Sequence, residues 1–253
     1  MILLIGGTSE TAPLAAGIAA AGFEVLVSTA TDIPLAVGDH PRITRRAGRL
    51  DEEGMVALAA DKGVRAIVDA AHPYAVAAHL AAQRSAQRLG IPCLVFRRPE
   101  ALIADNDFAA DHAEAAKIAF ALGRPVLLTT GSRNLAPYAE GARRTGVPCI
   151  VRVLDRKESL DACRAAGIPE DRVIAGRGPF SVEENLAAIR RFGIGVIVTK
   201  DSGRRGGVEA KLIAARQSNC RVIVVRRPEA TTRGPVFDRP ATLIAALKGI
   251  GLC

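Results

Sequence analysis

The sequence predicts an α/β protein of two lobes, each built on a parallel sheet covered by helices, and three observations lead there. Short β-branched and Leu-rich runs alternate with Ala-rich stretches of helical period, the pattern of parallel strands joined by crossover helices. The scheme then repeats. Gly6 to Ala15 (GGTSETAPLA) lies over Thr130 to Ala139 (TGSRNLAPYA) without a gap, matching Gly7 with Gly131, Thr8 with Ser132 and Pro13 with Pro137. Finally, Ala66 to Pro73 (AIVDAAHP) resembles Val196 to Gly203 (VIVTKDSG), and FRRPE at Phe96 to Glu100 is nearly VRRPE at Val225 to Glu229, in almost constant register.

In the first half, strands are expected at Ile2 to Ile5, Glu24 to Ser28, Ala66 to Ala70 and Cys93 to Phe96, with a less regular one at Arg42 to Arg45. Helices fit at 11–21, 52–61 and 75–89. Gly22, Gly63 and Gly90 stand where helices end, a place that favours a left-handed residue. The second half has strands at Val126 to Thr130, Cys149 to Val153, Arg172 to Ile174, Val196 to Thr199 and Val222 to Val225. Pro13 and Pro137 fall in a first helical turn, where a missing amide proton costs least. The lobes are therefore set at 1–98 and 99–253, the chain passing between them around Arg97 to Ala104. A last helix, Pro240 to Gly249, is free to pack on either lobe.

The chain of 253 residues is 49% hydrophobic, 4% aromatic and 24% charged, an ordinary globular balance, and carries a formal charge of +8. That charge implies an anionic partner. Nucleic acid is disfavoured: the basic residues are scattered pairs such as Arg45-Arg46, Arg143-Arg144 and Arg226-Arg227, with too few aromatics for a stacking platform. Cys93, Cys149, Cys163, Cys220 and Cys253 show no metal-ligand spacing and read as reduced thiols. The opening run, Met1-Ile-Leu-Leu-Ile-Gly-Gly, is too short for a signal peptide or a membrane span. A cytoplasmic monomer that binds neither membrane nor nucleic acid is expected.

Chemistry in open parallel sheets gathers beyond the C-terminal ends of the strands. After the first strand, Gly6-Gly7-Thr8-Ser9 allows a tight turn and close approach to a phosphate. It is not a GxGxxG fingerprint, and an ordinary βα turn remains open. At the end of the second strand, where NAD-selective folds place an acid, stand Ser28 and Thr29; Arg45, Arg46 or Arg49 can meet a 2′-phosphate there, which favours NADPH, although Asp32 is near. After the fourth strand, Asp69-Ala70-Ala71-His72-Pro73-Tyr74 puts polar groups beside a nicotinamide, or is a helix start with Pro73 at its first position. His40, His79 and His112 look isolated and without function. In the second lobe the equivalent turns hold Gly131, Ser132 and Arg133, then Arg177-Gly178-Pro179-Phe180, then Lys200-Asp201-Ser202, with Lys211 downstream. Ser181 with Glu184 forms a capping box, and Lys200 and Lys211 either bind carboxylates or donate a proton, or are solvated.

Taken in order, GGTSE, DAAHPYA, TTGSRNL, GRGPFS, VTKDSG with Gly206, Gly207 and Lys211, and the strand ending in RRP resemble the precorrin-6A reductase family, including its cobalt-precorrin-6A members, over nearly the whole chain. The resemblance implies two Rossmann-like or flavodoxin-like lobes with cofactor and substrate in a cleft between them. It implies NAD(P)H-dependent reduction of one C=C bond of the precorrin-6A macrocycle, metal-free or with cobalt, to precorrin-6B in cobalamin biosynthesis. NADPH is the expected cofactor, with NADH possible, and no metal is required. One departure is Arg46-Ala47-Gly48-Arg49-Leu50, where the family often has a glycine-rich segment.

Under this reading the cofactor falls to Gly6, Gly7, Thr8, Ser9, Ser28, Thr29, Arg46, Asp69, Ala70, His72, Tyr74, Gly131 and Ser132. The tetrapyrrole falls to Arg133, Arg177, Gly178, Pro179, Phe180, Lys200, Ser202 and Lys211. Lys200, Asp201 and His72 are the catalytic candidates, and no single acid is expected to be essential. A non-catalytic two-lobed anion-binding protein is one rival. Another is a different Rossmann oxidoreductase, disfavoured because Tyr74 and Tyr138 are followed four residues on by Ala78 and Ala142, leaving no Tyr-x-x-x-Lys pair.

Overall fold

The computed structural model describes residues 1–32, 37, 40–97, 107–201, 207–228 and 234–251. In chain order the first elements are β1 (Ile2–Ile5), α1 (Thr11–Ala20), β2 (Val25–Thr29), β3 (Ile43–Ala47), α2 (Glu52–Asp61), β4 (Ala66–Asp69), α3 (Val76–Leu89) and β5 (Cys93–Phe96). Then follow β6 (Asp107–Ala109), α4 (His112–Ala121), β7 (Val126–Leu128), α5 (Ala136–Thr145), β8 (Cys149–Val153), α6 (Lys157–Ala165), β9 (Val173–Ala175), α7 (Val182–Phe192), β10 (Val196–Lys200), α8 (Val208–Gln217) and β11 (Arg221–Val225). The chain closes with β12 (Val236–Phe237) and α9 (Pro240–Gly249).

These elements form two α/β lobes with parallel sheets, ordered β12-β5-β4-β1-β2-β3 and β6-β11-β10-β7-β8-β9. In the first, Ile2, Leu4, Val25, Val27, Val68 and Leu94 face α1 and α9, while Leu3, Ile5, Leu26 and Ile67 face α2 and α3. Both faces are covered, so β1, β2 and β4 are buried from end to end, as continuous apolar runs require. The second sheet is sandwiched likewise, Val126, Leu128, Val151 and Val198 on one side and Leu127, Ile150, Ile197 and Val224 on the other. Helix ends follow local chemistry. Asp51 and Asp111 each accept an amide proton from the third residue beyond, and α3 ends on Gly90 at φ 65°.

Two compact units result, Met1–Pro99 with Pro228–Cys253, and Glu100–Arg227. This differs from a second lobe running to residue 253. After β11 the chain returns to the first unit, where β12 pairs with β5 and α9 packs on α1. The exchange is reciprocal: after β5 the chain builds β6 onto β11. Each copy of the RRPE sequence therefore marks a departure to the other unit. The repeat implied α6 and α8 without bounds, whereas β6, α4 and β12 fell outside the repeated scheme; the two strands are only 3 and 2 residues long, too short to show a period.

Candidate active site

The first unit offers three polar turns at the C-terminal edge of its sheet. After β1, Gly7 has φ +110°, and a β-carbon there would meet nothing within 4 Å, so its open face can take a close ligand. Gly6 instead makes room for Thr11, whose Cγ2 would lie 2.6 Å from an added β-carbon. The Thr11 hydroxyl accepts the amide protons of Gly7 and Thr8 at 3.0 and 3.1 Å. Two amides expected to cradle a phosphate are thus already engaged. The Thr8 hydroxyl turns inward and donates to the Ala70 carbonyl, whereas Ser9 is exposed.

At the ends of β2 and β3 positive charge gathers. Arg46 Nη1 donates to Ser28 Oγ and to the Gly48 carbonyl, both at 2.8 Å, and Arg45 Nη2 donates to Thr29 Oγ1 at 3.2 Å. Each of the two hydroxyls at the end of β2 is thus held by its own guanidinium group.

The third turn follows β4. Asp69 has 0% exposure, so direct contact with a cofactor, as expected from its position, is unavailable to its side chain. Its Oδ1 accepts from the Ala71 amide at 3.2 Å and its Oδ2 lies 2.7 Å from His79 Nδ1. His79 Nε2 lies 3.1 Å from the carbonyl of His72. A carboxylate and a carbonyl both accept, so these two contacts favour the doubly protonated ring. Burial works against that charge, but the hydrogen bond and charge of Asp69, and the His72 carbonyl, leave its pKa raised. His79 is therefore not isolated: with Asp69 it clamps the turn that presents His72 and Tyr74, whose rings lie 5.7 Å apart. Helix α3 begins only at Val76, so Pro73 stands ahead of the first helical position.

In the second unit, Gly131 has φ +84° and Ser132 Oγ bonds Ser159 at 3.4 Å. The Lys200 ammonium has its pKa lowered by burial and then by the charge of exposed Arg133. His112 also belongs to this region. Its Nδ1 lies 2.9 Å from the Tyr138 hydroxyl, and burial, followed by Lys200, pushes it down to about 4, so the ring is neutral at pH 7. His112 opens α4, a helix with no strand expected before it in sequence. Asp201 is buried and forms an ion pair with Arg227 Nε at 3.1 Å. Ser202 lies outside the described residues.

Beyond β9, Arg177, Gly178 and Pro179 are exposed, and the Phe180 ring folds over the Arg152 guanidinium, 4.2 Å from centroid to Cζ. Gly176 and Gly178 permit this, since a β-carbon at either would press on that ring at 3.2 or 3.3 Å. Ser181 and Glu184 form the capping box of α7, so that pair is explained by the helix start. Arg152 was not singled out in the sequence. It is 6% exposed and its Nη1 donates to Asn185 Oδ1 at 2.6 Å. Nearby, Lys211 Nζ reaches Thr199 Oγ1 at 3.5 Å, and burial, then the charge of Arg152, pushes the Lys211 ammonium down to about 8. Among the described residues no group of His, Cys, Asp and Glu could hold a metal ion, and no helix is long and apolar enough to cross a membrane.

Comparison with known proteins agrees with this architecture. The sequence profile of the family described as precorrin-6x reductase CbiJ/CobK matches residues 1–248. A cobalt-precorrin-6A reductase of Priestia megaterium is 34% identical over 250 residues, covering 98% of both chains. A precorrin-6A reductase of Rhodococcus erythropolis is 35% identical over 251 residues, covering 96% of both. The solved structure of a CobK precorrin-6A reductase superposes with a TM-score of 0.78 at 27% identity, over 99% of this chain and 97% of that one. A match along almost the entire length, carried by sequence and fold together, makes this chain a member of the precorrin-6x reductase family.

Proposed function

We propose that this chain reduces one C=C bond of the precorrin-6A macrocycle, metal-free or carrying cobalt, to precorrin-6B in cobalamin biosynthesis, with NADPH as reductant. The observation that carries the reading is the family match along residues 1–248. The residues at the end of β2 fit the phosphorylated cofactor: hydroxyls at Ser28 and Thr29 do not repel a 2′-phosphate, and Arg45 and Arg46 supply its counter-charge. Gly7 and Ser9 would hold the adjoining phosphates, with fewer backbone donors than a typical glycine turn, which shifts the burden of affinity to the two arginines.

Bound there, the reduced nicotinamide supplies a hydride. The protein's part is to hold the reacting carbons about 3 to 3.5 Å apart and to exclude water. His72 and Tyr74, steadied by the Asp69–His79 clamp, orient the nicotinamide end. Arg133, Lys200, Arg177, Phe180 and Lys211 bind the ring and its acidic arms, whose long-range attraction suits a +8 chain. A proton must reach the carbon beside the one that receives the hydride. Lys200 holds it at Nζ, where burial and Arg133 ease its release, and solvent serves as an alternative donor. The reduced thiols of Cys93, Cys149, Cys163 and Cys220 suit a cytoplasmic setting.

Incubating the purified protein with precorrin-6A and NADPH or NADH, while following nicotinamide absorbance and product mass, tests the proposal. Oxidation of NADPH with a gain of two hydrogens is expected, and Lys200→Met should lower kcat without abolishing turnover. No oxidation with either form of the substrate would remove the reductase reading.

A further inference from the structure

The two lobes are copies, so each position in one has a counterpart in the other, fixed by strand register. Ile2 pairs with Val25 and Val126 with Cys149, which makes Ser28 the counterpart of Arg152. Ile2 pairs with Ala66 and Val126 with Val196, which makes Asp69 the counterpart of Thr199. Helices α3 and α8 begin at Val76 and Val208, so His79 and Lys211 occupy the same helical position. The contact between them is preserved as well, His79 to Asp69 in one lobe and Lys211 to Thr199 in the other.

What changes is the charge balance. In the first lobe a buried carboxylate neutralises the cation on the helix. In the second, the acid is replaced by a threonine and the serine on β2 by an arginine, so two cations remain where the copy holds a neutral pair. Among the described residues no carboxylate lies within ion-pair distance of either Arg152 or Lys211, and Arg152 Nε has no hydrogen-bond partner. Glu184 bears on Arg152 only at a distance and is occupied by the Ser181 amide. The other charged groups of α7, α8 and the neighbouring strand, Glu183, Arg190, Arg191, Glu209, Arg216 and Arg221, are exposed. Arg152 is buried, Lys211 is half-buried and the charge of each works against the other, a cost that an arriving anion would offset.

The geometry points to a carboxylate seat in the second lobe: Arg152, held in place by Asn185 and the Phe180 ring, and Lys211, beside Thr199, together take one acidic arm of the tetrapyrrole. This deepens the reductase reading and rests on it for the ligand. A carboxylate accepts from both groups, and its charge is balanced only while Lys211 is protonated. Binding should therefore weaken as pH rises through about 8, where the free ammonium loses its proton.

The test uses the whole protein and a stable octacarboxylate tetrapyrrole, a uroporphyrin, titrated by calorimetry against wild type, Lys211→Met and Thr199→Asp. The aspartate restores in the second lobe the acid that the first lobe has. Each variant should raise Kd about tenfold or more, and the loss of affinity between about pH 7 and pH 9 seen in wild type should vanish in Lys211→Met. NADPH affinity should not move. Absence of binding to wild type, a Kd within about twofold in both variants, or a shift in NADPH affinity in place of the uroporphyrin's would overturn the seat. A wild type that binds the porphyrin with the expected variant pattern yet fails to reduce precorrin-6A keeps the seat and removes the reductase. Turnover with an unchanged KM for the ring in both variants does the opposite.

Discussion

The two lobes share a strand order and place different chemistry at the same points. In the first, Asp69 balances His79, and the β2 end offers the hydroxyls of Ser28 and Thr29 to two arginines coming from β3. In the second, the strand equivalent to β2 itself carries the arginine, and the acid beside the helical cation is gone. A duplicated scaffold thus need not duplicate its ligand, because a few residues at the sheet edge set the sign and depth of the charge. Under the proposed function, the first lobe is the nucleotide half and the second the half that holds an acidic ring.

The comparison can be broken most forcefully at Asp69. Asp69→Asn leaves the half-buried His79 beside a neutral partner and should cost about 3 kcal/mol of stability, measured by urea unfolding. The sign with pH follows from the raised pKa of folded His79. The pair's contribution is full below the unfolded value of about 6.5 and is lost as pH rises through the folded value, and that slope should disappear in the variant. An unchanged slope would contradict the clamp.

A smaller and opposite effect is expected at the counterpart position. Lys211→Met removes a half-buried cation with no carboxylate partner among the described residues and should raise the melting temperature by a few degrees, about 1 kcal/mol. Lys211 has a lowered pKa, so between about pH 8 and the unfolded value near 10.4 the unfolded chain binds more protons than the folded one. Wild-type stability from this group therefore increases with pH across that window, and calorimetric scans of Lys211→Met should lack the increase. A destabilised variant would mean that Lys211 already has its counter-charge.

The strands were legible because runs such as Ile2–Ile5 and Val196–Lys200 are apolar on both faces, and the duplication because turns and strand ends keep their residue types. The return of the chain to the first lobe was not. Strand β12 has two residues, and nothing local says which sheet edge a short strand will extend. At the site, the glycine turn and the β2 hydroxyls could be picked out by their place after strands, and Lys211 by its motif with Gly206 and Gly207. His79 and Arg152 could not: a histidine inside a helix and an arginine inside a strand look like surface until the register of neighbouring elements shows what they face. Aligning the halves by Ala66–Asp69 and Val196–Thr199 alone sets His79 on Glu209; only the helix starts, Val76 and Val208, bring His79 onto Lys211.

The division of labour is tested most directly by one crossed binding measurement. NADPH and uroporphyrin are each titrated against Arg45→Ala/Arg46→Ala in the first lobe and Lys211→Met in the second. The arginine double variant should weaken NADPH about 100-fold and leave the porphyrin unmoved, while the lysine variant should weaken the porphyrin and leave NADPH unmoved. Loss of both ligands in each variant, or of the porphyrin through the first-lobe arginines, would contradict it.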